Sequence, residues 1–208
     1  MNDEIKKIAS WLGHGSINVI GCPFSGKDTQ GEILVKLFNG VLIGGGDILR
    51  SHNDPGKIER IMAEGELIPS DFFLSLMLPY FSKPEFKDKP LILSSVGRSH
   101  GEEKTIMQHL TDSGHPMKAV VLLKLTEADV WRRFHAAQAD HDRGNRADDQ
   151  AGVLKTRLEE FKKKTTPVIE FYREKGLLIV VDGAPATNIV TKEILYALST
   201  LAQALPID

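Results

Sequence analysis

Five short runs of apolar, largely β-branched residues, at 17–20, 41–43, 91–93, 119–125 and 177–181, are separated by charged stretches whose apolar residues recur at helical spacing. Ile33, Leu34, Leu37 and Phe38 mark one helical face, and Val153, Leu154, Leu158 and Phe161 mark another. Short continuous apolar strands alternating with helices predict a parallel sheet covered on both faces, hence an α/β fold of five strands flanked by helices. In such sheets ligands bind beyond the carboxyl ends of the strands.

The 208 residues suit one domain spanning 1–208, and no repeat, low-complexity tract or Pro/Gly/Ser-rich linker marks a boundary. Two stretches lack strand signals and read as excursions from the sheet: a helical one at about 44–80 and a short polar one at about 134–146. With 41% hydrophobic and 26% charged residues, the chain is neither disordered nor fibrous. A formal net charge of −2 leaves no basic excess for a nucleic-acid duplex, so any phosphate chemistry must be local. The lone Cys22 cannot form an internal disulfide, which fits a reducing compartment, and no segment approaches the length of a membrane span. A cytoplasmic monomer is expected, with residues 1–15 reading as a helix laid on the sheet through Ile5, Ile8 and Leu12.

The segment Gly21-Cys22-Pro23-Phe24-Ser25-Gly26-Lys27-Asp28-Thr29-Gln30 follows the first strand and opens a helix. A phosphate loop belongs there: glycines let successive N–H groups curl toward an anion, the helix terminus adds partial positive charge, and Lys27 reaches the terminal phosphates. A strict loop of this kind has Ser or Thr after the lysine, where this chain has Asp28.

The ending Gly26-Lys27-Asp28-Thr29-Gln30 resembles the loop of adenylate kinases, Gly-x-Pro-Gly-x-Gly-Lys-Gly-Thr-Gln. Further matches follow in order: Gly46-Asp47-Ile48-Leu49-Arg50, Gly65-Glu66-Leu67-Ile68-Pro69, Arg98 after the third strand, Arg146-Ala147-Asp148-Asp149, Arg157-Leu158, Thr166-Pro167 and Asp182-Gly183. The resemblance runs from about residue 18 to 197 and implies phosphoryl transfer, with Mg²⁺, from ATP to a nucleoside monophosphate, AMP by default. It also implies a P-loop nucleotide-binding fold in which 44–80 is the acceptor-binding insert and 134–146 a short lid. By the same carry-over, ATP is held by Gly21, Phe24, Ser25, Gly26, Lys27, Asp28 and Thr29, with Arg133 stacked on its base beside Pro185. The acceptor is held by Gly45, Arg50, the backbone of Glu66, Leu67 and Ile68, the segment Ser95, Val96, Gly97 and Arg98, and Glu102. Lys27, Arg98, Arg146 and Arg157 form the catalytic clamp, which suits a reaction governed by positioning and charge stabilisation. Taken singly, each arginine is also consistent with a solvated helix face, and Asp148 and Asp149 with a helix cap.

Several positions depart from the pattern. Phe24 stands at a loop glycine, Asp28 at the glycine after the lysine, and Ser94 at the strand acid that directs magnesium. One account joins the last two: Asp28 takes over the magnesium-directing task that Ser94 cannot perform. Gly44-Gly45-Gly46 lacks the hydroxyl offered to the acceptor, Ala137 stands at a lid arginine, and Glu102, or Glu103 if the turn is shifted, falls at the glutamine that reads adenine. A carboxylate there accepts hydrogen bonds only and suits guanine or cytosine better than adenine; alternatively Glu102 faces solvent at a helix start. The lid stretch has no cysteine, so His135 and His141 read as loop residues rather than zinc ligands. These departures leave open a catalytically weak nucleotide-binding protein of the same fold, or a small P-loop kinase for another metabolite.

Overall fold

The computed structural model describes residues 2–51, 55–140 and 150–204. Arg146, Asp148, Asp149 and His141 lie outside them. All five expected strands are present as β1 (Ser16–Gly21), β2 (Val41–Gly44), β3 (Leu91–Ser94), β4 (Met117–Lys124) and β5 (Leu178–Asp182). They form one sheet in the order β2-β3-β1-β4-β5, and every pairing is parallel. Parallel neighbours require crossovers, which the helices supply.

Alternation along the strands divides the core in two. Ile17 and Val19 of β1 face α1 (Asn2–Leu12), α2 (Lys27–Phe38) and α10 (Thr187–Ala204), where Ile8, Leu12, Leu34, Phe38 and Ile194 cover them. Ile20 and the inward residues of β2, β3 and β4 face the other layer. That layer is built from α3 (Gly45–Ser51), α4 (Pro55–Ala63), α5 (Ser70–Phe81), α6 (Glu102–Asp112) and α9 (Thr166–Glu174). The expected packing of residues 1–15 through Ile8 and Leu12 is therefore observed for α1. The expected insert resolves into α3, α4 and α5, leaving the sheet at Gly44 and returning to it at β3.

A third apolar cluster lies under the phosphate loop, where Cys22 meets Val130 and Phe134 of α7 (Glu127–Asp140) and Leu154 and Leu158 of α8 (Ala151–Glu160). Residues 134–140 of the expected lid are thus the last turns of α7, and Phe134 is buried in this cluster rather than standing in a polar loop. After α8 the chain winds differently: a π-helical turn, Phe161–Thr165, leads into α9. Such turns add a residue to the helical ladder and frequently occur at functional sites.

Candidate active site

The carboxyl ends of β1, β2 and β3 deliver the residues of one open cleft. The loop after β1 turns into α2 at Gly26, whose φ of 87° is left-handed and open to glycine at little cost. A Cβ on Gly21 would collide with the side chain of Ser25, so that glycine is required by close approach. Phe24 (φ 63°), which stands at a glycine of the resembled loop, and Ser95 (φ 54°), which stands at the glycine of the resembled third-strand motif Asp-Gly-Phe-Pro-Arg, also hold left-handed backbone. The fold keeps the backbone shape while the side chains have changed, at a local cost of about 1–2 kcal/mol per residue. Phe24 regains part of that through its ring, which meets Phe134 edge-on at 5.6 Å between centroids.

Among the expected residues, the cleft brings together Lys27, Asp28, Arg50, Glu66, Leu67, Ile68, Ser95, Arg98 and Arg157. Its cations are held by neighbouring carboxylates. Arg50 pairs with Asp47 one turn earlier on α3, and Lys27 Nζ lies 3.6 Å from Asp28 Oδ2. Burial pushes the Arg98 guanidinium below its ordinary value and Arg50 pushes it the same way, while Glu102, Asp28 and Glu160 oppose the shift. Two guanidinium groups lining one open cleft suit a shared anion.

The other expected residues lie elsewhere. Arg133 is tied by its edge to three backbone carbonyls, with Phe24 O at 3.1 Å, Gly183 O at 2.5 Å and Ala184 O at 3.2 Å. It therefore braces the phosphate loop against the segment after β5, next to Pro185. Gly45, Val96 and Gly97 are buried, and Val96 O accepts a 2.7 Å hydrogen bond from Asn18 Nδ2 on β1. Glu102, for which a solvent-facing position was one expectation, is instead 3% exposed and does not line the cleft. Its Oε1 accepts from Ser70 Oγ at 2.7 Å, and its Oε2 from Ser99 N–H at 3.1 Å. Thr29 is exposed one turn into α2, and Gln30 is structural, joining α2 to α10 through Thr187 O at 3.0 Å and Thr191 Oγ1 at 2.9 Å.

At the end of β3, Ser94 Oγ donates to Asp28 Oδ1 at 2.5 Å. The register explains the meeting: Ser94 lies opposite Val19 on β1, just below the loop that carries Asp28.

A family model described as adenylate kinase matches residues 19–177. The chain belongs to the adenylate kinase family. It is 32% identical to an adenylate kinase of Parvibaculum lavamentivorans over 181 residues, covering 85% of this chain and 88% of that one. It is 31% identical to the adenylate kinase of Nitrobacter winogradskyi, covering 85% and 89%, and 31% identical to that of Xylella fastidiosa, covering 86% and 97%. Membership carries the activity class with it: ATP-dependent phosphoryl transfer to a nucleoside monophosphate.

Two cleft residues of this adenylate kinase family member escape sequence reasoning. Glu160, at the end of α8, reaches the insert and accepts from Leu67 N–H at 3.3 Å while pairing with Lys164. Nothing in the spacing of the Arg157-Leu158 pair signals it. Thr165 lines the cleft, is 1% exposed and donates to Arg98 O at 3.0 Å. Of the adjacent threonines before Pro167 it is thus Thr165, not the Thr166 of the Thr166-Pro167 match, that the π-helical turn places in the wall.

Proposed function

We propose that the chain transfers the terminal phosphoryl group of ATP to AMP in the cleft beyond β1, β2 and β3. The observation that carries this reading is the convergence of Lys27, Arg50, Arg98 and Arg157 on that cleft. Lys27 and the N–H groups at the start of α2 bind the triphosphate tail. Arg50 grips the acceptor's phosphate with its planar fork, and Arg98 and Arg157 span the space between the two nucleotides, where charge spreads over the migrating group's oxygens. The resemblance assigns Arg146, which lies outside the described residues, to the same clamp. The three carbonyls on Arg133 fix the plane of its guanidinium, on which the ATP base stacks. No proton-abstracting residue is required in the wall, because catalysis in this reaction class is positioning and electrostatics.

The donor set around Asp28 fits magnesium. A carboxylate whose side chain is 60% exposed, oriented by a serine hydroxyl, offers the hard oxygen that a water-retaining Mg²⁺ accepts beside nucleotide phosphates. When bound, the ion neutralises charge on the phosphate oxygens. Asp28 would hold the ion's hydration shell, with Ser94, standing where the family's acid stands, as the donor that aims Asp28. Of the departures that leave a catalytically weak protein open, this reading answers one, the loss of the strand acid, with a carboxylate 2.5 Å from Ser94 Oγ. An unpaired thiol at Cys22 suits the cytoplasm. Among the described residues no helix is long and apolar enough to cross a membrane.

A coupled assay with ATP and Mg²⁺ against AMP, GMP, CMP and UMP tests the reading. Turnover with AMP as the preferred acceptor is expected. Nucleotide binding without turnover on any of the four overturns it.

A further inference from the structure

We propose that Glu102 is a positioning residue that couples the acceptor insert to the phosphate-gripping Arg98, and that it does not read the acceptor's base. The inference rests on the kinase reading above for the role of Arg98, and on the structure for the rest. Ser70 is the first residue of α5, the last helix of the insert, and its hydroxyl donates to Glu102 Oε1 at 2.7 Å. Ser99, next to Arg98, donates its backbone N–H to Glu102 Oε2 at 3.1 Å. One buried carboxylate therefore joins the insert to the strand-to-helix turn that carries the arginine. Thr165 takes the other side of that turn through Arg98 O at 3.0 Å, so the arginine's backbone is held from both directions.

Reading a base requires oxygen lone pairs that face the cleft. Glu102 is 3% exposed, and each of its oxygens already accepts a protein hydrogen bond. Helix capping alone does not account for it either. Glu103 already accepts from Gly101 N–H at 2.7 Å at the start of α6, and the Ser70 bond reaches a different element 32 residues away. Charge adds to geometry: Glu102 is the foremost of the carboxylates that keep Arg98 protonated against its burial. Movement of the insert onto an acceptor is transmitted to the arginine through this carboxylate.

The test compares the full-length protein with Glu102→Gln and Ser70→Ala. Gln retains an oxygen for Ser70 but sets an amide N–H₂ against the Ser99 N–H, whereas Ser70→Ala removes only the insert's end of the link. Each variant is expected to raise the KM for AMP about tenfold, the scale of one lost hydrogen bond to a charged group, with the KM for ATP changed less than about twofold. The preference among AMP, GMP, CMP and UMP is expected to stay in the same order with the same ratios. A changed order of preference makes Glu102 a base reader and overturns the proposal, as does an unmoved KM for AMP or a parallel rise in both KM values. Calorimetric titration of each variant with AMP and with ATP gives the same comparison without turnover, so an inactive wild type would refute the kinase reading while leaving this one decided by affinity.

Discussion

Removing the charge of Asp28 while keeping its shape, as Asp28→Asn does, separates two effects of opposite sign. The side chain is 60% exposed, so its interactions are those of a charge in water rather than in a protein interior. A unit charge in water would attract a divalent ion at a separation of about 4 Å by about 2 kcal/mol, which corresponds to about 30-fold in apparent Mg²⁺ affinity. The same carboxylate repels a unit of phosphate charge at that separation by about 1 kcal/mol, about fivefold in affinity. Asp28→Asn is therefore expected to need about 30-fold more Mg²⁺ for half-maximal turnover, and to bind ATP about fivefold more tightly in the presence of a chelator. A folding defect cannot produce both. Adding Ser94→Asp to Asp28→Asn puts the acid at the end of β3, where the amide introduced on α2 can donate to it across the 2.5 Å contact, and should return the Mg²⁺ midpoint to within about threefold of wild type. Isothermal titration with a non-transferable ATP analogue, with and without Mg²⁺, reads both quantities. A midpoint shift below about threefold in the single variant, or no recovery in the double, refutes the exchange of roles.

Three other outcomes follow from the geometry. Phe24→Gly relieves left-handed strain of about 1 kcal/mol but gives up a half-buried ring and its edge-on contact with Phe134; a net loss near 1 kcal/mol should lower Tm by about 2–4 °C in thermal unfolding, and a rise would show that the ring does not hold the loop. Arg133→Lys keeps the charge but cannot span Phe24 O, Gly183 O and Ala184 O, so the KM for ATP should rise about tenfold with the KM for AMP unchanged; equal shifts in both would rule out a donor-side role. Burial raises the Glu102 carboxyl above its ordinary 4.5, so folding favours its neutral form: that contribution is complete below pH 4.5 and is lost as pH rises through the folded value. The Tm of Glu102→Gln relative to wild type should accordingly climb as pH rises above 4.5, and a flat difference would show that Glu102 ionises as easily folded as unfolded.

The strands, the parallel sheet and the phosphate loop were legible because each depends on a local pattern: a continuous apolar run, a helical period, or glycines at a fixed offset. Lys27, Arg50, Arg98 and Arg157 were legible as members of an ordered series of motifs, and the cleft brings all four together. Glu160 and Thr165 were not, for different reasons. Glu160 acts on a backbone N–H at position 67, and a backbone donor has no sequence signature. Thr165 depends on the π-helical turn, whose extra residue rotates the following side chains out of the register that a 3.6-residue period assumes. The helical state of residues 134–140 was obscured by His135, Ala137 and Asp140, whose character suggested a loop although Phe134 anchors the helix from inside.

The departures from the family pattern carry the same lesson further. At Phe24 and Ser95 the backbone is left-handed without glycine, so the positions of N–H and C=O groups in these two turns are set by the sheet and its crossovers, and glycine is one inexpensive way of meeting that demand. At Asp28 and Ser94 the demand is for one carboxylate and one hydrogen-bonding partner at a point in space, and residues 66 positions apart meet it because β1 and β3 pair in parallel with Val19 opposite Ser94. A motif read along the chain records an acid as lost when it moves across that pairing. Here the sheet register sets Asp28, in the first turn of the helix beside β3, one hydrogen bond from Ser94 at the end of that strand.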